Sequence, residues 1–173
     1  MSGTSRPHTL VAMVADHPGV LTRVASMFRR RGFNIASLAV GHCEELGYSR
    51  MTIEVHGTDD EVKQFEKQLY KLVEVVTVRD LTDVPSVQTE TALVRVRAEP
   101  EHRPGLADIA DIFHGEIVDV ARHSMIVQIT GESDTIDRFL DVIAEYGIDE
   151  LSRTGIVAMA RGANTSPNRS TSG

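Results

Sequence analysis

Asp16, His17, Pro18 and Gly19 stand between an apolar run, residues 10–15, and an amphipathic one, and together they have the makings of a small anion site. Pro fixes φ and Gly tolerates tight backbone approach, so these four residues break a strand and open a helix. The helix carries Val20, Leu21, Val24, Ala25 and Phe28 on one face and ends in Arg29, Arg30 and Arg31 before Gly32. The N–H groups of Gly19, Val20 and Leu21 then fall at a helix start, where unpaired donors and the helix dipole favour an anion such as a carboxylate. Asp16 lies just across the turn. A carboxylate receptor facing a side-chain carboxylate suits a zwitterion, with Asp16 taking the ammonium. A tight turn opening an ordinary helix explains the same residues without a ligand, and on spacing alone that plainer reading is the stronger. Asn34 is ambiguous in the same way, since it can bond its neighbouring backbone at a strand start.

Other chemistry finds little support. The spacing signatures of phosphate loops, dinucleotide turns, zincins and nucleophile elbows are missing. The histidines His8, His17, His42, His56, His102, His114 and His123 are scattered and never spaced as metal pairs on a helix or hairpin. A catalytic pair such as Asp119 with His123 could still assemble in space, but the sequence gives thin ground for it. No catalytic residue and no metal ligand is therefore expected. Arg29, Arg30 and Arg31 invite a phosphate reading, but cations at a helix C-terminus meet the dipole favourably, and capping is preferred. The single cysteine, Cys43, excludes an intrachain disulfide and a thiolate cluster and fits a reducing compartment.

Charge and composition narrow the partners. With 18 basic and 25 acidic residues the chain carries −7, which argues against nucleic acid. Only 5% of residues are aromatic, so no platform for stacked bases is expected on the strands. No apolar run is long enough to span a bilayer and residues 1–8 lack the apolar core of a secretory signal, so a cytoplasmic protein with no membrane partner is expected.

The elements that must position Asp16–Leu21 follow from periodicity. Residues 33–40 and 48–55 read as strands of a hairpin, the second alternating Met51, Ile53 and Val55 with Arg50, Thr52 and Glu54, which predicts one packed and one wetter face. Thr58 and Asp59 can cap a helix bearing Val62, Phe65 and Leu69, and residues 72–78 return as a strand. In a split βαββαβ sheet strands one and three lie centrally, leaving strands two and four at the edges. The grammar then repeats: Pro104, Gly105, Leu106, Ile109, Ala110 and Phe113 mirror Pro18, Gly19, Val20, Val24, Ala25 and Phe28, the glycine returning 86 positions on. Residues 117–120 and 125–129 form the second hairpin, and residues 148–160 close the unit. The expected fold is α+β: two tandem ferredoxin-like modules at 8–81 and 91–162, each an antiparallel sheet with helices on one face. Residues 82–90 are read as a linker and 163–173 as a disordered tail.

The stretches RRRGFNIASLAV, YSRMTIEV, EKQLYKLVEVVTVRDLT and ELSRTGIVAMARG, in that order, resemble the small regulatory subunit family of acetolactate synthase, whose first module is an ACT domain. The resemblance covers residues 9–162. It implies that the glycine loop and Asn34 bind a branched-chain amino acid across a dimer interface. Asp16, Pro18, Gly19, Val20, Leu21, Asn34 and Ile35 are then the ligand residues, with backbone N–H groups on the carboxylate and Asp16 or Asn34 on the ammonium. Val20, Leu21 and Ile35 would surround the side chain, and valine would suit it. Two positions depart from the family: Asp16 stands where many relatives carry Asn, and Ala36 where Glu is usual. The first bears on ligand affinity, the second on the surface.

The resemblance also implies a homodimer or higher oligomer in which the second strand, an edge, pairs with its twin. It implies a large catalytic subunit as partner, carrying thiamine diphosphate, Mg²⁺ and FAD, with no cofactor in this chain. On that reading the chain activates the large subunit and transmits feedback inhibition. The competing readings are a stand-alone amino-acid sensor acting on another target, and an enzyme whose site assembles in space.

Overall fold

The computed structural model describes residues 4–162, so the expected tail at 163–173 lies outside the described residues. Among these, the chain divides into two compact units, residues 4–87 with 156–162, and residues 88–155.

The first unit is built from β1 (Arg6–Ala15), α1 (Val20–Arg30), β2 (Ile35–His42), β3 (Tyr48–Gly57), α2 (Asp59–Leu69) and β4 (Val75–Asp80). Its antiparallel sheet has the order β2-β3-β1-β4, with β1 and β3 central as the split βαββαβ order predicted. Leu10, Ala12 and Val14 of β1 and Met51, Ile53 and Val55 of β3 bury one face against Val20, Val24 and Phe28 of α1 and Val62, Phe65 and Leu69 of α2. Each of the larger side chains contributes about 1.5–3 kcal/mol by leaving water. Phe65 lies between Phe28 and Phe33, with ring centroids 4.1 and 5.2 Å away.

The helix ends explain where the strands begin. α1 closes with Gly32 at φ +73°, its N–H donating to Arg29 O (3.2 Å) while Phe33 N–H donates to Phe28 O (3.1 Å). That is a Schellman cap, and it consumes Phe33. β2 therefore starts at Ile35 rather than at residue 33, with a register shift between Ile35 and Ser37 that leaves Ala36 in a bulge. α2 opens with a capping box in which Thr58 and Glu61 bond each other's backbone N–H. Accepting those bonds holds the Glu61 carboxyl below its ordinary range. After α2, turn bonds from Leu72 N–H to Leu69 O and from Val75 N–H to Leu72 O delay β4 to Val75.

Two expectations change. Residues 82–90 are not linker throughout: Ser86 begins β5 (Ser86–Arg97), whose alternating β-branched residues suit a long strand. Residues 148–160 do not close the second unit as one stretch. They divide at Gly155, φ +79°, into β8 (Ile148–Arg153) and β9 (Val157–Ala160), and β9 belongs to the first unit. Ile156 and Ala158 bury against Val11 and Leu81 on the sheet face opposite the helices. That face is drier than alternation suggested, with Thr52, the register partner of Val11, only 2% exposed.

The second unit repeats the plan with β5, α3 (Arg103–Ile112), β6 (Glu116–Val120), β7 (Ser124–Gly131), α4 (Ser133–Ile143) and β8, in the order β6-β7-β5-β8. Its core joins Val94, Val96, Val127 and Ile129 to Leu106, Ile136, Phe139 and Ile143. Buried Glu90 is bound by Arg153, whose guanidinium also reaches Asp137 (2.6 Å), so the charge is not left uncompensated.

Candidate functional site

The turn between β1 and α1 is fixed from both sides. Ala15 N–H donates to Glu74 O and Asp16 N–H to Gly47 O, each 2.8 Å, which ties its entry to the approaches of β4 and β3. Glu74 is itself buried and bound by Arg23 of α1, so the helix start is held to the same end of the sheet. Gly19 is the N-cap residue at φ +91°, a left-handed conformation that glycine adopts without strain. No side chain caps α1, whereas Thr58 caps α2. A Cβ at Gly19 would meet no atom within 4 Å, so the space in front of this helix start is open. Open space, uncapped N–H groups and the dipole are what a carboxylate needs.

The expected site residues are distributed unevenly. Asp16, Pro18 and Gly19 are exposed and Leu21 is 46% exposed, so all four face solvent at the turn. Val20 is different: its side chain is 3% exposed inside the core, and its N–H makes a long bond, 3.5 Å, to the His17 carbonyl. Asn34 is exposed, and Ile35 is half-buried with its side chain packed on the core. These two lie at the other end of the sheet. Ile35 is opposite Val55 while His42 is opposite Ser49, and Ala15 is opposite Tyr48. Six steps along β3 separate the ends, roughly 20 Å at strand spacing. One chain cannot bring Asn34 to Gly19.

A residue that sequence reading passed over completes the turn. His42, the last residue of β2, places Nδ1 3.1 Å from the Asp16 carboxylate. The contact joins the turn to the edge strand, and only the β2–β3 register reveals it. His17 stays local, its Nδ1 3.2 Å from the Pro18 carbonyl.

The second unit does not reproduce this turn. Gly105 lies inside α3 rather than at its cap, with a Cβ position 3.1 Å from the Tyr146 hydroxyl, so close packing accounts for the glycine. The Arg103 guanidinium spans the carbonyls of Ala98 (3.3 Å), Ala121 (3.1 Å) and Arg122 (2.8 Å) and fastens the loops at that end. Asp119 and His123 are not paired there either: His123 sits 3.0 Å from Glu99. Among the described residues, no group of three or more His, Cys, Asp or Glu side chains is arranged to hold a metal ion, and no helix is long and apolar enough to cross a membrane.

An antiparallel βαββαβ sheet with a glycine turn after its first strand and its second strand at the edge defines the first unit as an ACT domain. Residues 10–77 match the ACT domain described as that of the AHAS small subunit, and residues 89–162 match the family described as the small subunit of acetolactate synthase. The chain is 50% identical to a probable acetolactate synthase small subunit of Archaeoglobus fulgidus over 155 residues, covering 90% of this chain and 97% of the relative. Against the acetolactate synthase small subunit of Mycolicibacterium smegmatis it is 41% identical, covering 94% and 95%. The crystal structure of the small subunit from Thermotoga maritima superposes with a TM-score of 0.84 at 42% identity, covering 91% of this chain and 99% of that one. The chain belongs to the acetolactate synthase small subunit family.

Proposed function

We propose that this chain is the regulatory, non-catalytic subunit of a cytoplasmic acetolactate synthase. It raises the activity of a thiamine diphosphate-dependent large subunit, which carries Mg²⁺ and FAD, and makes that activity subject to feedback inhibition by valine or another branched-chain amino acid. The observation that carries the effector reading is the separation of Asn34 and Ile35 from Gly19 at opposite ends of one sheet. Antiparallel pairing of edge strand β2 with its twofold mate sets the Asn34 end of one chain beside the His42 end of the other. His42 already touches Asp16, so the mate's Asn34 arrives at the turn that holds Gly19. The effector carboxylate then rests on the uncapped N–H groups at the start of α1, with Asp16 and the mate's Asn34 as acceptors for the ammonium. Leu21 and the mate's Ile35 border the side chain.

A ligand held by two chains has different contacts in different packings of those chains, and this is the physical basis for transmitting its presence. The test is a reconstituted holoenzyme. Acetolactate formation by the large subunit is expected to rise on adding this chain and to fall again with valine, while the chain alone forms none. Acetolactate from the chain alone, or a large subunit indifferent to it, overturns the reading.

A further inference from the structure

The sheet face turned away from α1 and α2 carries a cleft of about 210 Å³ that neither the Asp16–Gly19 turn nor β2 enters. Its floor is Val11 and Met13, alternate residues of β1 that point away from the core holding Leu10, Ala12 and Val14. Arg79 stands on β4 opposite Val11, and Arg50 on β3 opposite Met13, so one guanidinium flanks the floor from each neighbouring strand. β9 forms a wall, with Ala158 buried and Met159 beside it. The cleft therefore combines strands β1, β3 and β4 with β9, which lies far from them in the chain.

Its chemistry is selective. In a chain of net charge −7, this cleft has two cationic side chains and one carboxylate, Glu44, which Arg50 already binds at 3.3 Å. A guanidinium has five N–H donors and can hold more than one partner at once, and its fork matches a carboxylate. Arg50 offsets the charge of Glu44, the one carboxylate lining the cleft, so the balance of charge there favours a carboxylate ligand without an ammonium. The apolar floor and Met159 ask for an aliphatic tail. The volume lies below the roughly 300 Å³ at which pockets for drug-sized ligands begin, so the ligand is small.

We propose that this cleft binds a small aliphatic monocarboxylate lacking an amino group, its carboxylate on Arg79 and Arg50 and its tail against Val11, Met13 and Met159. The site is separate from the proposed amino-acid site and stands whether or not valine binds at the α1 turn.

The two methionines are built-in reporters. The full chain labelled with ¹³C at its methionine methyl groups is titrated with 3-methylbutanoate, with valine and with inorganic phosphate. The Met13 and Met159 resonances are expected to shift saturably with 3-methylbutanoate while those of the core residues Met51 and Met125 hold still. Arg79→Gln should weaken the response at least fivefold, and Arg50→Gln supplies a second variant if the first disturbs the Met51 resonance. Gly19→Asp should leave it intact. Unmoved Met13 and Met159, an equal response to valine or phosphate, or saturation unchanged in both arginine variants would overturn the proposal.

Discussion

The Asp16 carboxylate lies 3.1 Å from Nδ1 of His42, a contact that joins the turn opening α1 to the edge strand β2. The acidic group expected to receive an ammonium is thus already oriented by the strand that a second chain would cover. His42 is 86% exposed in its side chain and Asp16 43%, so both remain accessible to a ligand or a mate.

Asp16→Asn should weaken valine binding about fivefold to tenfold. The amide oxygen still accepts a hydrogen bond from an ammonium, but the charge-assisted part is lost, about 1–1.4 kcal/mol. Calorimetric titration of the chain with valine checks this. Equal affinity in the two proteins would show that Asp16 does not receive the ammonium.

Gly19→Asp should abolish valine inhibition while leaving activation of the large subunit in place. The added carboxylate faces the site meant for the ligand carboxylate, and the φ of +91° adds strain of about 1–2 kcal/mol for a residue with a Cβ. Holoenzyme assays with and without valine, beside a melting curve of the variant, separate loss of regulation from loss of fold. Undiminished valine sensitivity in the variant excludes this turn as the effector site.

Pairing of β2 with its mate should appear in hydrogen exchange. In a free edge strand the backbone N–H groups that point away from β3 have no ladder partner and exchange quickly. In the proposed dimer they are protected together with those facing β3. Alternating fast and slow amides along β2, at concentrations where sedimentation is run with valine present, would mean that this edge stays open.

Glu66→Gln should stabilise the first unit at neutral pH. Partial burial, and secondarily the charge of Asp80, raise the Glu66 carboxyl above its ordinary range. The folded chain therefore holds that proton more tightly than the unfolded chain, and Glu66 favours folding only in acid. This contribution is complete below the ordinary Glu range and is lost as pH rises through the raised value. The amide removes the penalty of charging, so the gain at pH 7 is expected to be under about 1 kcal/mol after solvent screening and to vanish near pH 4. Urea unfolding at the two pH values measures it; a gain that persists in acid would assign the effect to something other than ionisation.

The sequence by itself determined the two modules, their helices and the order of strands in each sheet. Those depend on local periodicity and on the few ways a βαββαβ chain can pair. The Pro18–Gly19 break, the Thr58 cap and the arginine-rich end of α1 were legible because each acts on its own neighbouring backbone. Tertiary structure decided what depends on residues far apart in the chain. The repeated glycine at Gly105 looked equivalent to Gly19, yet it lies inside α3, where a Cβ would come within 3.1 Å of the Tyr146 hydroxyl. Residues 156–160 read as the end of the second module, but Ile156 and Ala158 find their apolar partners in Val11 and Leu81. The Asp16–His42 contact and the distance between Gly19 and Asn34 likewise follow from strand register, because a shift of one residue reverses which side chains share a face.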